Sequence, residues 1–232
     1  MNKLIVGAFI GFIACFFVLT MVRPFGFMTR AEVSKAVTTQ TPTSFATVTS
    51  NDSWQKIVND SSLSTVAIQA FDNKKLKKQG SGVILSSDGL IVTTSDLSNA
   101  NTIQVLYEDK ILRASTVKTD VSRNLTLLKI DGSNYNVSSL DIPDTYESGE
   151  DLVLTGKLAD LSALVIFSQK ALVSYVLDRK VILDTQISDI LNGAKVLDSS
   201  GLMVGIVNIR EGKANLISSK IISEFYNNLL NK

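Results

Sequence analysis

Residues 80–94 read Gly-Ser-Gly-Val-Ile-Leu-Ser-Ser-Asp-Gly-Leu-Ile-Val-Thr-Thr, which is two apolar runs around a short polar turn. The turn consists of Ser-Ser-Asp-Gly, residue types that favour tight reversals of the chain. Two apolar runs joined in this way predict a β-hairpin and indicate an all-β protein.

Short apolar runs of the same kind continue on both sides of this hairpin, and residues 132–148, rich in Gly, Ser, Asn and Asp, separate two series of similar size. Many short strands at regular spacing predict a sandwich or a barrel. The first series comprises Thr65–Phe71, Gly82–Leu85, Leu90–Thr94, Thr102–Tyr107, Ile111–Lys118 and Leu125–Ile130. The second comprises Asp151–Thr155, Leu164–Gln169, Ala171–Leu177, Val181–Asp184, Lys195–Asp198, Met203–Ile209 and Asn215–Ile217.

Helical patterns flank the two series. A short helix is expected from Trp54, with Asp52 or Ser53 as its cap. A second helix is expected over Ser219–Leu230, because apolar residues recur there on one face. These apolar residues are Ile221, Ile222, Phe225, Leu229 and Leu230.

The N-terminal segment has a different character. After a tip of residues 1–3, residues 4–22 are apolar or small without interruption, which is about the length that crosses a bilayer as a helix. We expect an uncleaved single-pass membrane anchor, followed by a Ser/Thr-rich tether over residues 23–53. Basic residues lie on both sides of the anchor, so charge does not decide its orientation.

Composition excludes several functions. The chain has 232 residues with 23 basic and 22 acidic side chains, which gives no argument for nucleic-acid binding. It contains no histidine, so it lacks the usual general base near neutral pH and the commonest metal ligand. No Cys/His metal spacing is present, and we expect neither a metal nor a cofactor.

Several segments together resemble the trypsin-like serine proteases of the HtrA/Deg type. Gly80–Thr94 resembles the segment that carries the family's catalytic histidine, and residues 120–130 resemble the strand of its aspartate. Residues 149–156 resemble the opening of its second barrel, residues 184–206 its nucleophile loop, and the last helix its closing helix. The resemblance implies two six-stranded antiparallel β-barrels, here over residues 54–134 and 135–232. It leaves no room for the family's PDZ module, and it implies that the domain lies outside the cytoplasm.

The catalytic positions of the family fall on residues that cannot form its triad. By this resemblance the histidine position is Asp96, the aspartate position is Asn124 and the serine position is Asn192. An amide is not a nucleophile, and an aspartate with a pKa near 3.9 is a poor base at neutral pH.

The oxyanion loop also departs from the family pattern. Ile190 stands where the family has the glycine that turns a backbone amide toward the developing negative charge. Leu191, Asn192 and Gly193 complete the former loop, and Ala194 and Lys195 replace the family's second glycine and its proline. We therefore expect no hydrolysis by the triad.

One alternative is a relocated catalytic set. Ser188, Ser199 and Ser200 lie near the loop in sequence, and Lys195 could activate a serine if it were desolvated and in contact with it. The competing interpretation of residues 198–201 is a solvated turn between two strands.

The predicted function is binding without catalysis, as a scaffold, a decoy or a regulatory partner of an active protease. The family's exposed strand edge could still accept an extended peptide. The predicted edge consists of Val207, Asn208, Ile209 and Arg210, or of Asn215, Leu216, Ile217 and Ser218. Residues 74–78, with four lysines, are a second candidate surface for anionic lipid, or else a solvated hairpin loop. The alternatives are an active hydrolase and a structural envelope protein.

Overall fold

The two predicted series of strands form two closed barrels of six antiparallel strands each. The structure, a computed structural model, describes residues 50–143, 145–160, 163–178 and 180–230. The strand order is β1-β2-β3-β6-β5-β4 in the first barrel and β10-β11-β12-β9-β8-β7 in the second. The elements are α1 (Ser50–Ser62), β1 (Thr65–Asp72), β2 (Lys75–Ile84), β3 (Leu90–Thr94), β4 (Thr102–Tyr107), β5 (Lys110–Asp120), β6 (Leu125–Ile130), β7 (Asp151–Asp160), β8 (Ala163–Leu177), β9 (Lys180–Asp184), β10 (Lys195–Leu197), β11 (Met203–Arg210), β12 (Lys213–Ser218) and α2 (Ser219–Leu230).

The predicted hairpin over Gly80–Thr94 joins β2 and β3. Val83 pairs with Val92, and the amide of Leu85 donates to the carbonyl of Leu90 at 2.8 Å. Gly89 closes the turn with a φ of +95°, which only glycine adopts without strain. The all-β prediction and the predicted barrels are confirmed.

Two strands are longer than predicted. Residues 75–79, expected in part as a solvated loop, belong to β2 and pair with β1, so the turn between these strands is confined to Asn73 and Lys74. Leu164–Gln169 and Ala171–Leu177, predicted as separate strands, form the single strand β8. Pairing with β7 continues through Gln169 and Lys170, and it holds these polar residues in the strand.

Both helices pack where the two barrels meet. One buried cluster unites Val58 of α1 with Ile222 and Phe225 of α2, and with side chains of both barrels such as Leu127 and Val153. The predicted closing helix is therefore confirmed, and its apolar face is the buried one. Helix α1 begins at Ser50, before the predicted cap, so the expected tether does not extend through residue 53.

Among the described residues, neither helix combines the length and the apolar character that a bilayer crossing requires. The membrane segment predicted for residues 4–22, and residues 23–49 of the predicted tether, lie outside the described ranges.

Candidate functional site

The three positions that match the family triad lie around one point where the barrels meet. Asp96 follows β3 in a single 3-10 turn, and Asn124 immediately precedes β6. Strands β3 and β6 are paired, which brings the amide of Ser95 to 3.2 Å from the carbonyl of Asn124. Asn192 joins them from the second barrel, because its carbonyl accepts the amide of Ser81 at 2.9 Å.

Asp96 takes no part in a buried network. Its side chain is exposed and lies 3.4 Å from Nζ of Lys78, with both side chains nearly half exposed. A surface ion pair of this kind contributes little to stability. Asp96 therefore offers a solvated carboxylate where the family holds a base in contact with its partners.

Asn124 is the centre of a buried chain of neutral hydrogen bonds. Its Nδ2 donates to Oδ1 of Asn208 at 2.7 Å, and its own Oδ1 accepts the hydroxyl of Ser95. Its φ is +52°, a conformation that asparagine tolerates better than most residues. Because neither amide titrates, this contact transmits no proton.

Asn192 uses its amide to hold the strand beside it. Its Oδ1 accepts the backbone amide of Ile209 at 2.9 Å, and its Nδ2 donates to the carbonyl of Asp189 at 3.1 Å. The side chain is buried, with 8% of its surface exposed. Asn192, at the position that matches the family's serine, thus connects the loop to β11.

Two backbone amides of the predicted oxyanion loop, residues 190–193, donate to carbonyls within the chain. Asp189–Leu191 form a 3-10 turn in which the amide of Asn192 donates to the carbonyl of Asp189 at 3.2 Å. The amide of Gly193 donates to the carbonyl of Val207 at 2.9 Å. The backbone amides of Asn192 and Gly193 are therefore both occupied by carbonyls of the chain itself.

Gly193 remains because the backbone requires it. Its φ is +76°, and an added Cβ would lie 1.9 Å from the carbonyl oxygen of Ser81. The glycine thus preserves the close approach of the loop to β2, although the donor it positions is already used.

The first predicted peptide edge is paired within the chain. Val207 exchanges hydrogen bonds with Gly193 and Ala194, and the amide of Ile209 is held by Asn192. On the other side of β11, Asn208 pairs with Asn215 and Arg210 with Lys213.

The second predicted edge is not a free edge at its centre. Asn215 and Leu216 lie in β12 between β11 and β9, opposite Ile182 and Val181 of β9. Ile217 and Ser218 pair with Ile206 and Gly205 of β11. Because strands on both sides already use the backbone of residues 214–216, an added peptide strand finds no place there.

The serines of the relocated set lie apart from Lys195. Ser199 and Ser200 are exposed in a turn in which the carboxylate of Asp198 accepts hydrogen bonds from the amide and the hydroxyl of Ser200. Ser188 directly precedes the 3-10 turn Asp189–Leu191. Lys195 itself is 1% exposed, and its Nζ donates to Oγ of Ser64 at 2.6 Å and to the carbonyl of Ser61 at 2.8 Å.

Burial lowers the pKa of Lys195 to about 7, and the nearby charge of Lys157 acts in the same direction. The pKa of Lys157 is itself lowered by its desolvation. Sequence analysis missed Ser64 as a partner because it lies 131 residues from Lys195, and no local pattern links the two.

The fold and the geometry define a class: a two-barrel, chymotrypsin-like domain with the triad positions at the barrel junction. The trypsin-like peptidase domain family matches residues 80–206, more than half of the chain. The chain belongs to this family.

Two relatives illustrate the similarity. The serine endoprotease DegS of Haemophilus influenzae is 29% identical over 165 residues, which cover 67% of this chain and 48% of that protein. The chain thus spans about half the length of this relative. The crystal structure of the serine endoprotease from Yersinia pestis superimposes with a TM-score of 0.67 at 21% identity, covering 77% of this chain and 67% of that one.

Proposed function

We propose that this protein is a catalytically inactive HtrA-type protease homologue that acts by binding a partner. The observation that supports the proposal best is the pair of amide contacts, Asn124 to Asn208 and Asn192 to Ile209. Peptide hydrolysis by the triad needs a nucleophile, a base and a free oxyanion site. The side-chain amides at positions 124 and 192 supply neither a nucleophile nor a base.

The binding role takes one of two forms. In one, the domain acts as a scaffold or a regulatory partner for an active protease. In the other it holds an extended peptide at β11, which requires the side chain of Asn192 to release the amide of Ile209. A membrane anchor at residues 4–22 and an extracytoplasmic domain belong to the same proposal.

A direct test exposes the full-length protein, purified in detergent, to a fluorophosphonate probe and to a diverse peptide library read by mass spectrometry. We expect no covalent adduct and no new peptide termini. The matched variant Asp96→His/Asn124→Asp/Asn192→Ser restores the triad residue types, and it should stay inactive because Ile190 remains and the backbone amide at position 192 still donates to the carbonyl of Asp189. Concentration-dependent cleavage by the wild-type chain would refute the proposal.

The contact between Ser64 and Lys195 supports a second candidate, a hydrolase with a Ser–Lys pair. The 2.6 Å contact and a lysine pKa of about 7 are what such a pair requires. Burial opposes this candidate, since Ser64 is 5% exposed and no substrate carbonyl reaches its hydroxyl in this conformation. A fluorophosphonate adduct that disappears in Ser64→Ala would favour the hydrolase.

A further inference from the structure

A groove of about 450 Å³ is lined mainly by side chains of the second barrel, and Asn208 and Arg210 of the first predicted peptide edge contribute to its wall. Strands β8, β9, β11 and β12 contribute to its wall. The turn before β6, with Ser122 and Arg123, and Ile221 at the start of α2 close it. The groove therefore combines both barrels and the closing helix in one concave surface.

The charge of this groove is unbalanced. Lys180, Arg210 and Lys213 line it and are exposed, whereas Glu211 is the one carboxylate that lines it. Across the part of the chain that the structure describes, no carboxylate lies within ion-pair distance of these three cations. Arg123 differs, because it already contacts Asp120 at 3.7 Å.

Two of the cations face each other. Arg210 and Lys213 are direct cross-strand partners in the hairpin of β11 and β12. Like charges in directly opposed positions destabilise a sheet. An anionic group between them would relieve this repulsion, so the pairing favours a negatively charged ligand.

The rim of the groove is apolar. Leu177 is 61% exposed and Tyr175 is 39% exposed. The hydroxyl of Tyr175 accepts a hydrogen bond from Nζ of Lys213 at 3.4 Å. Asn215 lies in the wall with its amide donating to backbone carbonyls of Asn208 and Lys213. A ligand that fills this groove therefore needs aliphatic groups beside its negative charges.

We propose that this groove binds a peptide segment of a partner protein in which acidic and aliphatic residues are mixed. The inference names the surface and the partner chemistry of the binding role proposed above, and it rests on that role. Carboxylates of the segment contact Arg210, Lys213 and Lys180, and its aliphatic side chains cover Leu177 and Tyr175. Because Arg presents a planar fork of donors, Arg210 is the cation best suited to hold a carboxylate by two hydrogen bonds.

The test measures fluorescence anisotropy of a short labelled peptide of alternating acidic and aliphatic residues with the full-length protein in detergent. Its counterpart carries Gln and Asn instead of Glu and Asp. We expect the acidic peptide to bind, the neutral peptide to bind at least about tenfold more weakly, and the affinity to fall as salt is raised.

Matched charge reversals locate the site. Arg210→Glu/Lys213→Glu should weaken binding by about tenfold or more. Lys110→Glu/Arg113→Glu changes net charge equally at exposed positions of β5, and it should leave affinity within about twofold. Lys180→Gln is a milder change that should also weaken binding. It keeps the test decisive if the double reversal fails to fold.

Three outcomes would overturn the inference: no binding by the wild-type chain, equal binding of the neutral peptide, or equal weakening by the control reversal. Binding to phosphatidylserine vesicles that depends on Arg210 and Lys213, without peptide binding, would assign the groove to lipid instead. Mass spectrometry of the recovered peptide distinguishes failure of this inference from failure of the proposed function. Cleaved peptide would refute catalytic inactivity, whereas the effect of the charge reversals on affinity would still test binding in the groove.

Discussion

The region of the three triad positions and the contact between Lys195 and Ser64 differ in the kind of polar group that each one buries. At the triad positions, Asn124 and Asn192 form neutral hydrogen bonds that hold loops in place. Three residues after Asn192, a lysine is buried beside a serine with its pKa lowered to about 7. The chain therefore has buried neutral amides at two of the triad positions and a buried lysine with a lowered pKa elsewhere. Sequence proximity to a catalytic loop does not create a catalytic site.

The largest expected effect tests the buried lysine. Between the folded pKa of about 7 and the unfolded value near 10.4, the unfolded state binds a proton that the folded state does not. The free energy of unfolding should therefore rise with pH across this window. Lys195→Met should remove this slope, so that the free energy of unfolding of the wild type rises relative to that of the variant by about 3 kcal/mol between about pH 6 and about pH 9.5.

Urea unfolding of both proteins at several pH values measures this difference. Groups that do not interact with Lys195 contribute equally in both proteins and cancel in the comparison, whereas the electrostatic effect of Lys157 on Lys195 is part of the measured difference. Lys75→Met, at an exposed lysine, is the matched control and should follow the wild-type slope. Parallel curves for Lys195→Met and the wild type would show that Lys195 keeps an ordinary pKa.

The next effect tests the buried amides at the triad positions. Asn124→Ala should lower the free energy of unfolding by about 3 kcal/mol, because it removes buried hydrogen bonds, leaves Oδ1 of Asn208 without its donor, and places alanine at a positive φ. Asn134→Ala, at an exposed position with a φ of +64°, isolates the backbone contribution and should cost about 1 kcal/mol. Equal losses in chemical denaturation would mean that the buried amide contact contributes nothing.

Much of the fold could be predicted because turn residues mark the strand ends. The bounds predicted for Leu90–Thr94, Thr102–Tyr107 and Leu125–Ile130 agree with the structure. The first half of β2 could not be found in this way, since its lysines have no apolar pattern and its strand geometry depends on pairing with β1.

The positions of the candidate site could be identified from the sequence, but not their contacts. Residue types at 124 and 192 already exclude a triad. Asn208 as the partner of Asn124 and the amide of Ile209 as the partner of Asn192 depend on where β11 lies in the closed barrel. The contact of Lys195 with Ser64 likewise joins β10 to the loop after α1, a distance in sequence that no motif spans.

A smaller effect tests whether the contact of Asn192 with Ile209 closes the peptide edge. Asn192→Ala should cost about 1 to 2 kcal/mol, because the amide of Ile209 loses its acceptor. It should also let an extended peptide pair with β11, so anisotropy with a labelled, mixed-sequence peptide should show tighter binding than for the wild type. Asn227→Ala removes an exposed amide of α2 and should change neither quantity. A stability loss without any gain in peptide binding would show that the edge stays closed for another reason.

The smallest effect concerns the third triad position. Asp96→Asn removes the exposed ion pair with Lys78, and stability should change by no more than about 0.5 kcal/mol. A double-mutant cycle with Lys78→Gln isolates the pair, and its coupling energy should fall as salt is raised, since water and ions reach both groups. A coupling well above 1 kcal/mol that persists in salt would place Asp96 in the same structural network as Asn124 and Asn192. All three triad positions would then belong to one structural network, whereas the structure shows two buried amides, of Asn124 and Asn192, beside the solvated carboxylate of Asp96.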